Sequence, residues 1–88
     1  MRLDKYLKTA RILKRREAAK ELALQGRIWV NERVAKPSSE IKIGDLIRIR
    51  FGYRLLEIRV TDIQKQVSKQ NAQTLFEILK EEKIDEED

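Results

Sequence analysis

The fold is decided by residues 15–30, RREAAKELALQGRIWV, where the apolar pattern changes from a helical period to an alternating one. Apolar side chains at positions 18, 19, 22 and 23 form one stripe, which predicts a helix from about Arg15 to Gln25. Gly26 follows the helix as a residue that can take a positive φ, a strong stop signal. From Ile28 the period is two, which indicates a strand.

A shorter amphipathic helix is predicted upstream, over residues 2–10. Its apolar stripe, about 100° wide, is formed by Leu3, Tyr6, Leu7 and Ala10. Its opposite side carries Asp4, Lys5, Lys8 and Arg11. Asp4 and Lys8 stand at the spacing of a favourable i, i+4 ion pair.

The middle of the chain is predicted to form a small, mostly antiparallel sheet. Its first two strands meet in a tight hairpin at Asn31-Glu32, although Asn-Gly is the stronger hairpin signal. The remaining features are a loop at 37–39, a turn at 44–45, a strand at 46–51, a turn at 52–54 and a last strand at 55–63.

The C-terminal part is less regular. Ala72, Leu75, Phe76 and Leu79 favour a helix packed on the sheet, while an edge strand from Leu75 to Leu79 stays open as the alternative. The end, EEKIDEED, is expected to be frayed. The predicted class is α+β, with two N-terminal helices on the sheet. We divide the chain into a domain over residues 1–63 and an extension with an acidic tail over residues 64–88.

Composition excludes most catalytic chemistry. The 88 residues suit one small soluble domain and contain neither Cys nor His. Thiol nucleophiles, disulfides and thiolate metal sites are therefore absent, as are the commonest metal ligand and the usual base at neutral pH. We expect no catalysis, no cofactor and no metal. No apolar run approaches the roughly 20 residues of a membrane span, and the charged start lacks a signal-peptide core, so we expect a cytoplasmic protein.

Positive charge is concentrated in the first third of the chain. Residues 1–36 hold 11 Lys and Arg against 4 Asp and Glu, whereas residues 64–88 hold 4 against 7. This asymmetry predicts a polyanionic partner for the N-terminal third, with nucleic acid as the leading class. The cations that form the candidate surface are Arg2, Lys5, Lys8, Arg11, Lys14, Arg15, Arg16 and Lys20. A solvated helix surface is the alternative interpretation.

The start of the second helix breaks local rules. No capping side chain precedes Arg15, and three cations crowd a helix end that prefers negative charge. A bound phosphate would relieve this conflict. Arg2 and Arg16 are the best candidates for forked phosphate contacts, because both lie near helix N-termini where N–H groups point outward. If the surface makes about six phosphate contacts, its affinity for nucleic acid should fall about a thousandfold when salt is raised from 50 to 200 mM.

Other polar and aromatic residues have two interpretations each. The residues flanking the hairpin extend the basic surface or serve as turn and edge residues; they are Arg27, Asn31, Arg33 and Lys36. Trp29 and Tyr53 are candidates for base stacking, although Trp29 is expected to pack in or near the core. Asp4 is interpreted as an ion-pair partner that holds neighbouring cations, or as an acceptor for a ribose or base.

The stretches RLDKYL, KRREAAKELALQGRIWVN and KIGDLIRIRF together resemble the RNA-binding domain of the ribosomal S-four type, which contains the αL motif. The resemblance covers residues 1 to about 51. Two features depart from the family pattern: Lys14-Arg15-Arg16 begins the second helix where Ser or Thr is frequent, and Glu32 replaces the usual hairpin Gly. By position, Arg2, Asp4 and Arg16 match the family's RNA-contacting residues.

Among stand-alone members, the chain is similar to a short bacterial ribosome quality-control family and, next, to the heat-shock protein fifteen family. The resemblance to the quality-control family implies a non-catalytic factor that binds large-subunit rRNA and peptidyl-tRNA on obstructed large ribosomal subunits. It also implies work alongside a factor that adds C-terminal alanine tails. We expect a monomer away from the ribosome and no membrane partner. The alternatives are a general subunit-recycling or heat-shock RNA-binding role, and a protein-interaction module.

Overall fold

The computed structural model describes residues 1–83, which form two α-helices, a 3-10 helix and a five-stranded sheet. In chain order the elements are α1 (Leu3–Thr9), α2 (Arg16–Leu24), β1 (Ile28–Val30), β2 (Arg33–Val34), β3 (Leu46–Phe51), β4 (Arg54–Val60), the 3-10 helix (Lys69–Leu75) and β5 (Phe76–Lys83). The strand order is β2-β1-β3-β4-β5, with antiparallel neighbours throughout. The predicted α+β class is confirmed. No helix within residues 1–83 is long and apolar enough to cross a membrane.

The core lies between the two α-helices and one face of the sheet. The predicted stripe of α1 is buried, with Leu3, Tyr6 and Leu7 fully inaccessible. It packs with Ala19 and Ala23 of α2. The sheet contributes the inward-pointing residues Ile28, Ile47, Ile49, Leu56, Ile58 and Val60. Their alternation with charged residues fixes which sheet face is buried, because a shift of one residue would turn the whole set outward.

The second helix ends as the sequence predicts. Gly26 has a φ of 75°. Its N–H donates to the carbonyl of Ala23, and the N–H of Arg27 donates to the carbonyl of Leu22. These two bonds form a Schellman motif, which satisfies carbonyls that the helix itself leaves unpaired.

The first helix ends with the same motif but with an arginine in the glycine position. Arg11 has a φ of 60°, its N–H donates to the carbonyl of Lys8, and the N–H of Ile12 donates to that of Leu7. A side chain in this left-handed conformation costs about 1–2 kcal/mol, which glycine avoids. Arg11 is therefore not the residue that stability alone would choose here.

The predicted hairpin forms between β1 and β2. Asn31 and Glu32 have φ values of 52° and 71°, as a two-residue turn with both central residues left-handed requires. Asparagine tolerates this conformation well, whereas glutamate does not. The turn therefore keeps the geometry typical of Asn-Gly, with backbone strain at Glu32.

The helix that we favoured for the C-terminal segment is wrong beyond residue 75. Ala72 and Leu75 lie in the 3-10 helix, but Phe76 begins β5, which pairs along the whole of β4 as far as Lys83. The alternative edge strand is thus the correct one, and it is longer than predicted. Most β5 side chains are exposed. The segment is therefore held by its backbone hydrogen bonds to β4 and not by the buried apolar stripe that the predicted helix required.

The end of β4 differs from the prediction because of one carbonyl group. The strand β4 ends at Val60 rather than at residue 63, since the N–H groups of Thr61 and Asp62 turn to the carbonyl of Leu75. The same oxygen accepts from the Tyr6 hydroxyl at 2.7 Å. Burial, with the charge of Asp62 adding to it, raises the pKa of Tyr6 above its ordinary value.

The C-terminal sequence EEKIDEED is predicted to be frayed, but its first three residues belong to β5. Its other five residues lie outside the described residues.

Candidate RNA-binding site

A buried carboxylate joins the starts of the two helices. Asp4 is fully buried, and its two oxygens accept from Arg2 Nε at 3.2 Å and Arg2 Nη2 at 3.1 Å. Arg16 Nη2 lies 3.3 Å from Asp4 Oδ1, which also accepts the backbone N–H of Lys5 at 2.7 Å. We call this set the Arg2–Asp4–Arg16 cluster. It holds two guanidinium groups beside each other although they lie 14 positions apart in the chain.

The charges of the cluster are arranged for a ligand outside the protein. The Arg2 and Arg16 side chains are 47% and 40% exposed, while the carboxylate between them is inaccessible. Burial would raise the pKa of Asp4. Hydrogen bonds from Arg16, the Lys5 N–H and Arg2, with the charge of Arg16, outweigh burial and hold it below its usual range. Each guanidinium has five N–H donors, so both retain donors for phosphate oxygens.

Two details of the sequence analysis are corrected here. We predicted Asp4 on the outer side of α1 with Lys8 as partner, but it is buried and its salt bridges go to Arg2 and Arg16. We also argued that N–H groups at the start of α1 point outward near Arg2. Those of Leu3 and Asp4 instead donate to the carbonyls of the 37–39 loop. A phosphate at Arg2 would therefore depend on the guanidinium.

The start of α2 is as unfavourable as predicted. Arg15 occupies the N-cap position, and its side chain makes no capping hydrogen bond within residues 1–83. The buried Nε atom of Arg16 has no hydrogen-bond partner within the described chain. An unpaired buried donor costs about 1–3 kcal/mol. Residues held at such a cost frequently belong to functional sites.

Most of the predicted cations have no acidic partner within residues 1–83. In the part of the chain that the structure describes, only two of them make salt bridges, and both do so with Asp4. Lys5 is half-buried and Arg27 follows the end of α2 in a similar environment. The exposed members are Lys8, Arg11, Lys14, Arg15, Lys20 and Lys36.

Three of these cations meet two lysines that the sequence analysis did not select. Lys8 and Arg11 line a cavity of about 300 Å³ together with Lys65. An adjoining cavity of about 320 Å³ is lined by the same pair with Lys14 and Lys69. The missed signal was available in the sequence, because residues 64–76 contain these two lysines and no acid. The acids that make the extension negative all follow residue 76.

The residues around the hairpin are only partly available to a ligand. The Asn31 amide donates to Asp45 at 3.1 Å, and its oxygen accepts the Leu46 N–H at 3.0 Å. These bonds tie the hairpin to the start of β3 and favour the turn interpretation of Asn31. Arg33 and Lys36 are exposed.

The two aromatic candidates for base stacking differ in exposure. Trp29 is half-buried on β1 with the Arg48 guanidinium 5.9 Å from its ring centre, and Arg48 also pairs with Glu57. Tyr53 is 60% exposed in the turn between β3 and β4. The expected place of Trp29 in or near the core is wrong. Ile28 and Val30 point towards the core, so Trp29 lies on the other face of β1 opposite Arg48, whose guanidinium covers one side of the ring.

Comparison with known proteins identifies relatives over nearly the whole chain. The S4 domain family matches residues 1–47. An RQC P-site tRNA stabilizing factor from Halalkalibacterium halodurans is 50% identical over 84 residues, 96% of each chain. The factor of the same name from Bacillus subtilis is 48% identical over 86 residues, 98% of this chain and 100% of the relative.

The fold is shared with a solved structure. The trimeric structure of heat shock protein 15 from Vibrio cholerae matches with a TM-score of 0.82 and 34% sequence identity. The match covers 89% of this chain and 80% of the other. With the helix pair, the sheet and the Arg2–Asp4–Arg16 cluster described above, these matches assign the chain to the S4 domain family and, within it, to the RQC P-site tRNA stabilizing factors.

Proposed function

We propose that the chain is a non-catalytic RNA-binding factor of ribosome-associated quality control. It binds large-subunit rRNA and peptidyl-tRNA on obstructed large ribosomal subunits and stabilises the tRNA there while a partner factor adds C-terminal alanine tails. The names of its relatives support a role at P-site tRNA. In this proposal the protein works in the cytoplasm as a monomer off the ribosome. Residues 1–63 carry the RNA-binding surface, and residues 64–88 form the extension with the acidic tail.

The observation that carries this proposal is the buried Asp4 carboxylate between two half-exposed guanidinium groups. A solvated surface has no need to orient its arginines against a buried acid. Planar guanidinium groups bind phosphate with two parallel N–H donors, so a fixed orientation improves the contact. The neighbouring cations of α1 and α2 add charge with little acidic competition.

Binding of this kind can stabilise a tRNA without chemistry. If the chain binds subunits that carry peptidyl-tRNA more tightly than empty ones, the affinity of the subunit for the tRNA rises when the chain is bound. The two affinities increase by the same ratio. Equal affinity for both kinds of subunit would leave the position of the tRNA unchanged.

The test is co-sedimentation of the purified chain with large subunits, empty or carrying peptidyl-tRNA, at two salt concentrations. We expect preference for loaded subunits, and a loss of about tenfold or more in Arg2→Glu and Arg16→Glu, since each reverses one phosphate contact. Arg54→Glu is the matched control, because Arg54 lies in β4 beside β5, pairs with Glu81 and makes no salt bridge with the cluster.

Other outcomes would contradict the proposed function or the proposed site. Equal binding to empty and loaded subunits would favour general subunit recycling or a heat-shock role. If Arg54→Glu lost as much affinity for large subunits as Arg16→Glu, the cluster would not be the RNA-binding site. Partner binding that is insensitive to salt and to Arg16→Glu would identify a protein-interaction module.

A further inference from the structure

We infer that the chain has a second RNA-binding site, a cleft at the end of α1 that takes the phosphodiester backbone. The cleft consists of the two adjoining cavities lined by Lys8, Arg11, Lys14, Lys65 and Lys69. We call it the α1-end cleft. The inference rests on the RNA binding proposed above and adds a separate contact to it.

The charge of the α1-end cleft is unbalanced in a way that an anionic ligand would correct. Among the residues that the structure describes, five cations and no acidic residue line the two cavities. None of the five makes a salt bridge within residues 1–83. Like charges brought together by folding repel each other, and the fold keeps them together here without an internal counter-charge.

The backbone at Arg11 is a second, independent observation. Arg11 holds the left-handed conformation that ends α1, where glycine would be unstrained. This position directs a cation into both cavities. Strain kept at a position that lines a charged cleft points to use of that side chain in binding.

The α1-end cleft is separate from the Arg2–Asp4–Arg16 cluster. The cluster lies at the start of α1, and the cleft is formed around its end. Seven helical residues span about 10 Å, so one phosphate group cannot satisfy both. Two contacts at this separation require an extended polyanion, which favours an RNA backbone over a small anion.

The test compares Lys65→Gln/Lys69→Gln with the control Lys42→Gln/Lys83→Gln, which removes equal charge from exposed lysines outside the cleft. Binding to large subunits is measured across a salt series. We expect the cleft variant to lose about tenfold or more in affinity near 0.1 M salt, with a salt slope shallower by about 1.5, as two lost phosphate contacts require. The control should stay within about twofold of the native chain.

A third variant tests Arg11 in a way that folding defects cannot imitate. Arg11→Gly relieves the backbone strain, so its urea midpoint should rise while its affinity for large subunits falls. The proposed site would be overturned if Arg11→Gly bound large subunits with native affinity. It would also be overturned if Lys65→Gln/Lys69→Gln and Lys42→Gln/Lys83→Gln lost equal affinity.

Failure of this inference can be told apart from failure of the proposed function. If Arg16→Glu loses binding and Lys65→Gln/Lys69→Gln matches its control, only the α1-end cleft is wrong. If the native chain binds no large subunit, both are wrong. Pyrophosphate is titrated in a separate arm without RNA. Pyrophosphate binding that the lysine variant abolishes, with subunit binding unchanged, would identify a small-anion site and overturn the RNA assignment.

Discussion

Replacement of Asp4 by asparagine separates orientation from net charge. Asp4→Asn keeps the size of the side chain and raises the formal net charge from +5 by one. If only the amount of positive charge mattered, RNA affinity would increase. If the carboxylate positions Arg2 and Arg16, affinity would decrease although the chain has become more basic. The two explanations therefore predict opposite signs.

The magnitudes follow from the contacts of the Arg2–Asp4–Arg16 cluster. Removal of one member of a fully buried ion pair costs about 3–5 kcal/mol. Here both guanidinium groups are 40–47% exposed and can reach water, so we expect a smaller loss of about 1–3 kcal/mol in the free energy of unfolding. Partial loss of two charge-assisted phosphate contacts should weaken RNA binding by about 1–2 kcal/mol, or roughly 5- to 30-fold.

The assay combines urea unfolding, followed by Trp29 fluorescence, with subunit binding across a salt series. Glu17→Gln is the matched control, because Glu17 is an exposed acid in the first turn of α2 and its removal changes the charge equally. The control should bind RNA as tightly as the native chain or more tightly. Binding by Asp4→Asn that also equals or exceeds native affinity, with unchanged stability, would refute the positioning role.

Three further predictions concern stability. The pKa of Asp4 in the folded chain lies below its unfolded value of 3.8. The ionised carboxylate should therefore contribute its full stabilisation above pH 3.8 and lose it as the pH falls through the folded pKa. The difference in unfolding free energy between the native chain and Asp4→Asn should consequently shrink below about pH 4. Arg15→Ser supplies the missing cap of α2 and should stabilise the chain by about 1 kcal/mol while weakening subunit binding, as unfolding and co-sedimentation would measure. Glu32→Gly relieves the left-handed turn and should stabilise by about 0.5–1 kcal/mol with unchanged RNA affinity.

Each of these has a result that contradicts it. A stability difference that stays constant from pH 6 to pH 3 would mean that Asp4 is not the titrating group. Unchanged subunit binding in Arg15→Ser would show that the poor cap is not kept for RNA. For the hairpin, Glu32→Ala is the control: it keeps the side-chain Cβ and should gain nothing, so equal stabilisation by alanine and glycine would exclude backbone strain.

Local pattern determined much of the fold. The apolar stripes placed both helices, Gly26 placed the end of α2, and the alternation after Ile28 predicted β1 and β3 with the correct buried face. These features depend on residues within one or two turns of each other, and sequence spacing expresses them directly. The excess of cations before residue 37 likewise needed no structure to be seen.

Tertiary structure decided what each charge does. Spacing offered Lys8 as the partner of Asp4, yet folding brings Arg16 to the same carboxylate and closes the start of α1 with carbonyls of the 37–39 loop. It also carries Lys65 and Lys69 to the end of α1, and it makes Phe76–Lys83 a strand because β4 offers an open edge. Contacts between distant residues depend on how the helices and sheet pack together, which periodicity along the chain does not encode.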